Sequence, residues 1–125
     1  MFNALVVDDN RATADSIVRV LTVLGIQARA AYGPGPGMTI LNNETPDMIF
    51  LDINMPGVSG YEILSYVGRE PRLCKVPVFI CTSDDQPQTR QQAIKAGATL
   101  FLLKPVTVDA LEDVLIKVGF LNSTS

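Results

Sequence analysis

Four apolar runs in this chain end in residues that could do chemistry. Leu5-Val6-Val7 leads into Asp8-Asp9, and Met48-Ile49-Phe50-Leu51 leads into Asp52. Val78-Phe79-Ile80-Cys81 ends at Thr82, and the run from Leu100 to Leu103 ends at Lys104. Carboxylates held close together repel, so such a group keeps a proton or takes up a cation. An all-oxygen set with room for water suits Mg2+ or Mn2+ better than a soft metal. A neighbouring ammonium and hydroxyl complete what phosphoryl transfer needs, because its negative charge spreads over equatorial oxygens. Asp52, at the end of a continuous apolar run, is then the natural nucleophile, and its product would be an aspartyl phosphate.

Those residues do chemistry together only if the fold brings the ends of their runs to one place. Between the runs the apolar spacing changes to that of helices. Ala14, Ile17, Val18, Leu21 and Leu24 recur at helical intervals and stop at Gly25. A short second strand is expected over Ile26 to Ala31. Gly33-Pro34-Gly35-Pro36-Gly37 is rich in helix breakers, and we expect a loop there that delays a short second helix to about Met38 to Asn43. Ser59-Gly60-Tyr61-Glu62 fits a capping box and places a third helix over about Gly60 to Val67. Pro87 and Gly97 frame a fourth helix. Leu111, Val114, Leu115 and Val118 give the last one its apolar stripe. Asn122 to Ser125 are expected to fray. Five strands alternating with five helices make an α/β doubly wound parallel sheet covered on both faces, in a single domain over 1–125. In such sheets ligands bind beyond the carboxyl ends of the strands, where the polar residues stand.

Bulk properties exclude several classes. With 47% hydrophobic and 18% charged residues the chain reads as globular rather than disordered. A net charge of -3 gives no electrostatic reason for nucleic-acid contact. No apolar stretch approaches the roughly 20 residues of a membrane span. Met1-Phe2-Asn3 runs straight into a strand with no signal-peptide pattern, so a cytoplasmic location is expected. Cys74 and Cys81 lack metal-ligand spacing and are expected to be reduced thiols, Cys81 buried. The absence of histidine rules out a histidine triad or a histidine metal site.

The four clusters, in this order, resemble the response-regulator receivers of two-component signalling, the chemotaxis-type receivers, over essentially the whole chain. The matching residues are Asp8-Asp9, Asp52-Ile53-Asn54-Met55-Pro56-Gly57, Thr82-Ser83 and Lys104-Pro105. The resemblance implies a flavodoxin-like sheet of strand order 2-1-3-4-5. It implies Asp52 as phosphoacceptor and a Mg2+ (or Mn2+) site from Asp9, Asp52 and the Asn54 backbone carbonyl, with Asp8 acting mainly through metal-bound water. Capping of the first helix is a parallel duty for Asp8-Asp9. Thr82 would hydrogen-bond the phosphoryl group, and Lys104, before a cis Pro105, would pair with the acidic cluster. Phe101 occupies the aromatic switch position. Asn54 and Asp84 match the positions that tune dephosphorylation, although Asp84 could equally cap the fourth helix.

Implied partners are a histidine kinase or histidine phosphotransfer protein and a downstream effector. A homodimer could form through the surface of helix four, strand five and helix five, which carries Arg90, Gln91, Lys95, Asp109, Glu112 and Asp113. Such a domain is no enzyme beyond its own phosphorylation and dephosphorylation. The Gly33–Gly37 segment departs from the family pattern. Three other families fit the residues less well. A haloacid-dehalogenase-type phosphatase would need its nucleophile on the first strand and an aspartate where Asn54 stands. A docking pseudo-receiver would lack site residues. A flavodoxin-type flavin protein would need a phosphate loop where Asp8-Asp9 stand.

Overall fold

The structure, a computed structural model, describes residues 1–57 and 59–122. Strands β1 (Asn3–Val7), β2 (Gln27–Ala31), β3 (Met48–Leu51), β4 (Val78–Thr82) and β5 (Leu100–Leu103) alternate with helices α1 (Arg11–Val23), α2 (Pro34–Asn43), α3 (Gly60–Arg69), α4 (Pro87–Lys95) and α5 (Val108–Lys117). All strand pairs are parallel, in the order β2-β1-β3-β4-β5. The fold is therefore the flavodoxin-like doubly wound one expected. Of the tail expected to fray, 123–125 lie outside the described residues.

The period-two alternation of the strands sorts the core into two layers. Leu5, Val7, Ile49, Leu51, Val78 and Ile80 face Leu41 of α2, Ile63, Leu64 and Val67 of α3, and Ala93 of α4. Ala4, Val6, Met48, Phe50, Phe79, Cys81 and Leu102 face Ala14, Ile17 and Leu21 of α1 and Leu111, Val114 and Leu115 of α5. Phe50 and Phe79 stack across β3 and β4 with ring centroids 4.7 Å apart. Each of these large side chains stabilises the fold by about 1.5–3 kcal/mol through burial, which holds the strand ends in register.

Several boundaries differ from the sequence expectation. The largest difference is at α2, which begins at Pro34, so the Gly-Pro-Gly-Pro-Gly stretch forms its entry and first turns. The first-turn N–H groups of a helix have no partner within it, so prolines there remove nothing the helix uses. Gly33, with φ +134°, turns the chain into the helix. Gly37 is buried, and a Cβ there would stand 2.9 Å from Val7 Cγ1. The missing side chain thus brings α2 down onto β1. The other end of α2 is held by Arg72, whose guanidinium donates to the carbonyls of Leu41 and Glu44 and to Thr45 Oγ1.

Smaller differences have local causes. Helix α3 continues to Arg69 because its backbone bonding carries on to Glu70 N–H, which donates to Tyr66 O. Its cap is simpler than a capping box: Ser59 Oγ accepts from Tyr61 N–H at 3.1 Å, with no return bond from the Glu62 side chain. Ile26 precedes β2 rather than opening it, since its N–H donates to Leu21 O as α1 closes.

Candidate functional site

The register fixes the site. Each of Asp8, Asp52 and Lys104 lies one residue beyond its strand, and each is tied by its backbone N–H to the neighbouring strand. Asp8 N donates to Ala31 O at 3.1 Å, Asp52 N to Val7 O at 3.0 Å and Lys104 N to Thr82 O at 2.8 Å. Thr82 itself is the last residue of β4, opposite Leu103. The carboxyl edge of the sheet thereby gathers side chains that the sequence scatters over almost a hundred positions.

Carboxylate oxygens of Asp8, Asp9 and Asp52 all lie within 4.8 Å of one another. Asp8 and Asp52 are buried, with 1% and 6% exposure, while Asp9 is exposed. Lys104 Nζ stands 2.7 Å from Asp8 Oδ2 and 3.5 Å from Asp52 Oδ2. One ammonium facing three carboxylates leaves the cluster short of positive charge. Its donors are all oxygen, one carboxylate opens to solvent, and the chemistry of the set fits a hard divalent cation.

Electrostatics follow from burial. Burial pushes the Asp52 carboxyl above the usual carboxylate range; Lys104 opposes this, and the Asp8 charge adds to it. Burial alone would lower Lys104, but its hydrogen bond to Asp8 and the two carboxylate charges outweigh that and raise it, so it stays an ammonium. Burial likewise pushes the Cys81 thiol, on the opposite face of β4 from Thr82, up to about 12. It is a core thiol, whereas Cys74 is exposed.

Capping of α1 falls to neither aspartate of the pair. Asn10 is the N-cap, and its Oδ1 accepts from Thr13 N–H at 3.0 Å. Asp8 Oδ1 accepts from Asn10 N–H at 2.9 Å, which orients the Asp8 carboxylate while Oδ2 takes the ammonium. Asn54 is exposed, and its N–H donates to Asp52 Oδ1 at 3.3 Å. Thr82 is buried, with Oγ1 accepting from Asp84 N–H at 3.2 Å. The Asp84 carboxylate is turned to the start of α4, where Oδ1 accepts from Gln86 N–H and Oδ2 from the Thr89 hydroxyl. Phe101 is half-buried against the α3–α4 layer and borders a cavity of about 420 Å3 with Arg90, Leu103 and Ala110. The Lys104–Pro105 peptide is cis.

Two features were not read from the sequence. A Cβ on Gly60 would collide with Asp52 O and come within 2.7 Å of Ile53 Cα. The N-terminus of α3 can seat on the backbone beside Asp52 only because this residue has no side chain. At the rim, the Arg11 guanidinium lies 4.2 Å over the Tyr32 ring, whose hydroxyl donates to Asp15 at 2.6 Å. Neither had a local signal, since each depends on which loops become neighbours.

Comparison with known proteins gives a consistent result. The family model described as "Response regulator receiver domain" matches residues 4–116. Protein PilH of Pseudomonas aeruginosa is 30% identical over 111 residues, covering 89% of this chain and 92% of that one. Protein RcaC of Microchaete diplosiphon is 28% identical over 102 residues, and there the match spans only 16% of the relative. The chemotaxis protein CheY4 of Vibrio cholerae superposes with a TM-score of 0.87 at 25% identity, covering 94% of this chain and 98% of that one. The receiver domain of the sensor histidine kinase PA1611 of Pseudomonas aeruginosa, solved with magnesium in its active-site cleft, shares the fold with a TM-score of 0.83 at 22% identity, covering 93% and 95%.

Proposed function

The chain belongs to the response regulator receiver family of two-component signalling, and from that premise we propose that Asp52 accepts a phosphoryl group from a phosphohistidine on a histidine kinase or phosphotransfer protein. The observation that carries this is a buried Asp52 carboxylate at the sheet's carboxyl edge, clustered with Asp8 and Asp9 and faced by Lys104. In the transfer an Asp52 oxygen forms a new P–O bond as the donor's P–N bond breaks, and the imidazole leaves with its electron pair. Asp8, Asp9, Asp52 and the Asn54 carbonyl would hold Mg2+ or Mn2+. When bound, the cation supplies positive charge to the cluster and to the phosphoryl oxygens. Lys104, already beside Asp52, would offer its ammonium to a phosphoryl oxygen, and Thr82 would turn its hydroxyl to another.

The output would pass through Thr82 and Phe101 to the face made by α4, β5 and α5. The half-burial of Phe101 beside a surface groove lined by Arg90, Leu103 and Ala110 supports this, since the ring borders that face directly. That face would meet an effector or a second copy of the chain. We read residues 1–125 as one receiver domain in the cytoplasm, catalysing only its own phosphorylation and dephosphorylation. Among the described residues, no helix is long and apolar enough to cross a membrane.

The test is incubation with acetyl phosphate, with and without Mg2+, followed by mapping of the modified residue. Labelling should require the metal, fall on Asp52 and vanish in Asp52→Asn, whose amide is a poor nucleophile. Metal-independent labelling, or equal labelling of the Asn variant, would overturn the assignment.

A further inference from the structure

Helix α2 is fastened at one end only. At its C-terminal half the Arg72 guanidinium donates to the carbonyls of Leu41 and Glu44, the Tyr66 hydroxyl donates to Asn42 Oδ1 at 2.8 Å, and Leu41 is fully buried. The first turn has none of this. Gly33, the N-cap, has no side chain to accept from the turn, and Pro34 and Pro36 carry no N–H. Gly35 and Pro36 are exposed. Each glycine in a helix favours the unwound chain by a factor of about two to five relative to alanine. The Thr39 hydroxyl also donates to Gly35 O at 3.1 Å, drawing on an acceptor that the helix ladder uses. The first bond of that ladder, from Gly37 N–H to Gly33 O, is 3.2 Å long.

What this turn covers is Val7. A Cβ on Gly37 would stand 2.9 and 3.1 Å from the two γ carbons of Val7, so the helix backbone rests on that side chain. Val7 is buried, its carbonyl accepts the Asp52 N–H at 3.0 Å, and Asp8 follows it in the chain. One side chain thus backs two of the carboxylates that would hold the cation. We propose that the first turn of α2 is a strap that opens by itself while the rest of the helix stays fastened, and that its closure on Val7 is coupled to cation binding by Asp8 and Asp52. The inference rests on the cation site read above and names an element that regulates it. With the strap lifted, Val7 loses the packing that fixes the end of β1, and the two carboxylates lose their common support. A cation that needs both in place binds the strapped state. Its binding must then suppress opening by as much as opening weakens binding, a reciprocity that linkage imposes.

Amide hydrogen exchange along α2 tests this, in EDTA and in Mg2+ at about ten times the dissociation constant found by calorimetry. In EDTA, Gly37 and Met38 should exchange faster than Asn42 and Asn43. Mg2+ should slow the first pair about tenfold, the factor set by the ratio of free cation to its dissociation constant, and the second pair less. Gly35→Ala is the variant to use: a Cβ there meets nothing within 4 Å, so alanine changes only the helix preference. It should slow exchange at Gly37 and Met38 in EDTA about twofold to fivefold and leave Asn42 and Asn43 as they were. Equal exchange along the helix, or equal slowing at both ends in Gly35→Ala, would overturn the independent strap. Bound Mg2+ with unchanged exchange at Gly37 and Met38 would overturn the coupling. If calorimetry shows no Mg2+ binding at all, the cation reading fails and the coupling with it, and that failure is told apart because calorimetry registers it without reference to α2.

Discussion

At the scale of single residues, the site is a balance between burial and charge. Asp52 and Lys104 lie on opposite sides of that balance, so their variants should move stability in opposite directions. The Asp52 carboxyl is raised from 3.8, chiefly by burial. A raised carboxyl binds its proton more tightly in the folded chain than in the unfolded one. Its contribution to stability is therefore complete below the unfolded value and is lost as pH rises through the folded one. At neutral pH without metal the buried charge disfavours the fold, and Asp52→Asn should stabilise it by about 1 kcal/mol. Lys104→Ala should do the reverse. It leaves Asp8, 1% exposed, without its ammonium, and removing one partner of a buried pair costs about 3–5 kcal/mol. Lys104 keeps some solvent contact, so the lower end is expected. Urea melts in EDTA and in Mg2+ check both, and Mg2+ should narrow the Lys104→Ala deficit by resupplying positive charge.

At the scale of elements, two glycines set how closely helices approach the strands that bear the site. Gly60→Ala would drive a Cβ against backbone at Asp52 and Ile53, whereas Gly37→Ala would meet only the Val7 side chain. Backbone cannot yield as a side chain can. Gly60→Ala should therefore destabilise by about 1–3 kcal/mol, the range of overpacked sites, and also slow labelling of Asp52, because α3 must lift off the loop that carries it. Gly37→Ala should cost less and leave labelling near the native rate. Parallel melts and acetyl phosphate time courses separate the two. Equal effects at both positions would mean that α3 does not bear on the Asp52 loop.

At the scale of the whole molecule, the α4–β5–α5 face gathers three exposed large apolar side chains inside a ring of charge. Ile94, Leu103 and Val108 stand exposed there at 44%, 48% and 43%. Around them, α4 carries exposed Arg90 and Lys95 and α5 carries Asp109, Glu112 and Asp113. A two-fold contact would set the basic helix of one copy against the acidic helix of the other around an apolar centre. We expect beryllofluoride with Mg2+ to increase self-association in sedimentation velocity, and 0.5 M salt to weaken that association. Charge reversal at Arg90 should reduce it while leaving Asp52 labelling unchanged. A mimic-bound chain that stays monomeric at all accessible concentrations would leave this face to a different partner.

The sequence by itself determined the alternation of strands and helices and the chemistry at the strand ends. Burial demands continuous apolar runs in β3 and β4, and a polar residue ending such a run needs a partner; both are local signals. It also suggested an entry loop at Gly33–Gly37, where the chain forms a helix. Breaker residues are costly inside a helix but not in its first turn, and only the packing of α2 on Val7 decided which applied. Tertiary structure alone decided that Asn10 rather than Asp8-Asp9 caps α1, because the side chain of Asp8 is drawn to an ammonium ninety-six positions away. It likewise decided that Gly60 must lack a side chain and that Asp84 faces α4. Each of these depends on distances between segments remote in the chain, and no local pattern of residue types encodes such distances.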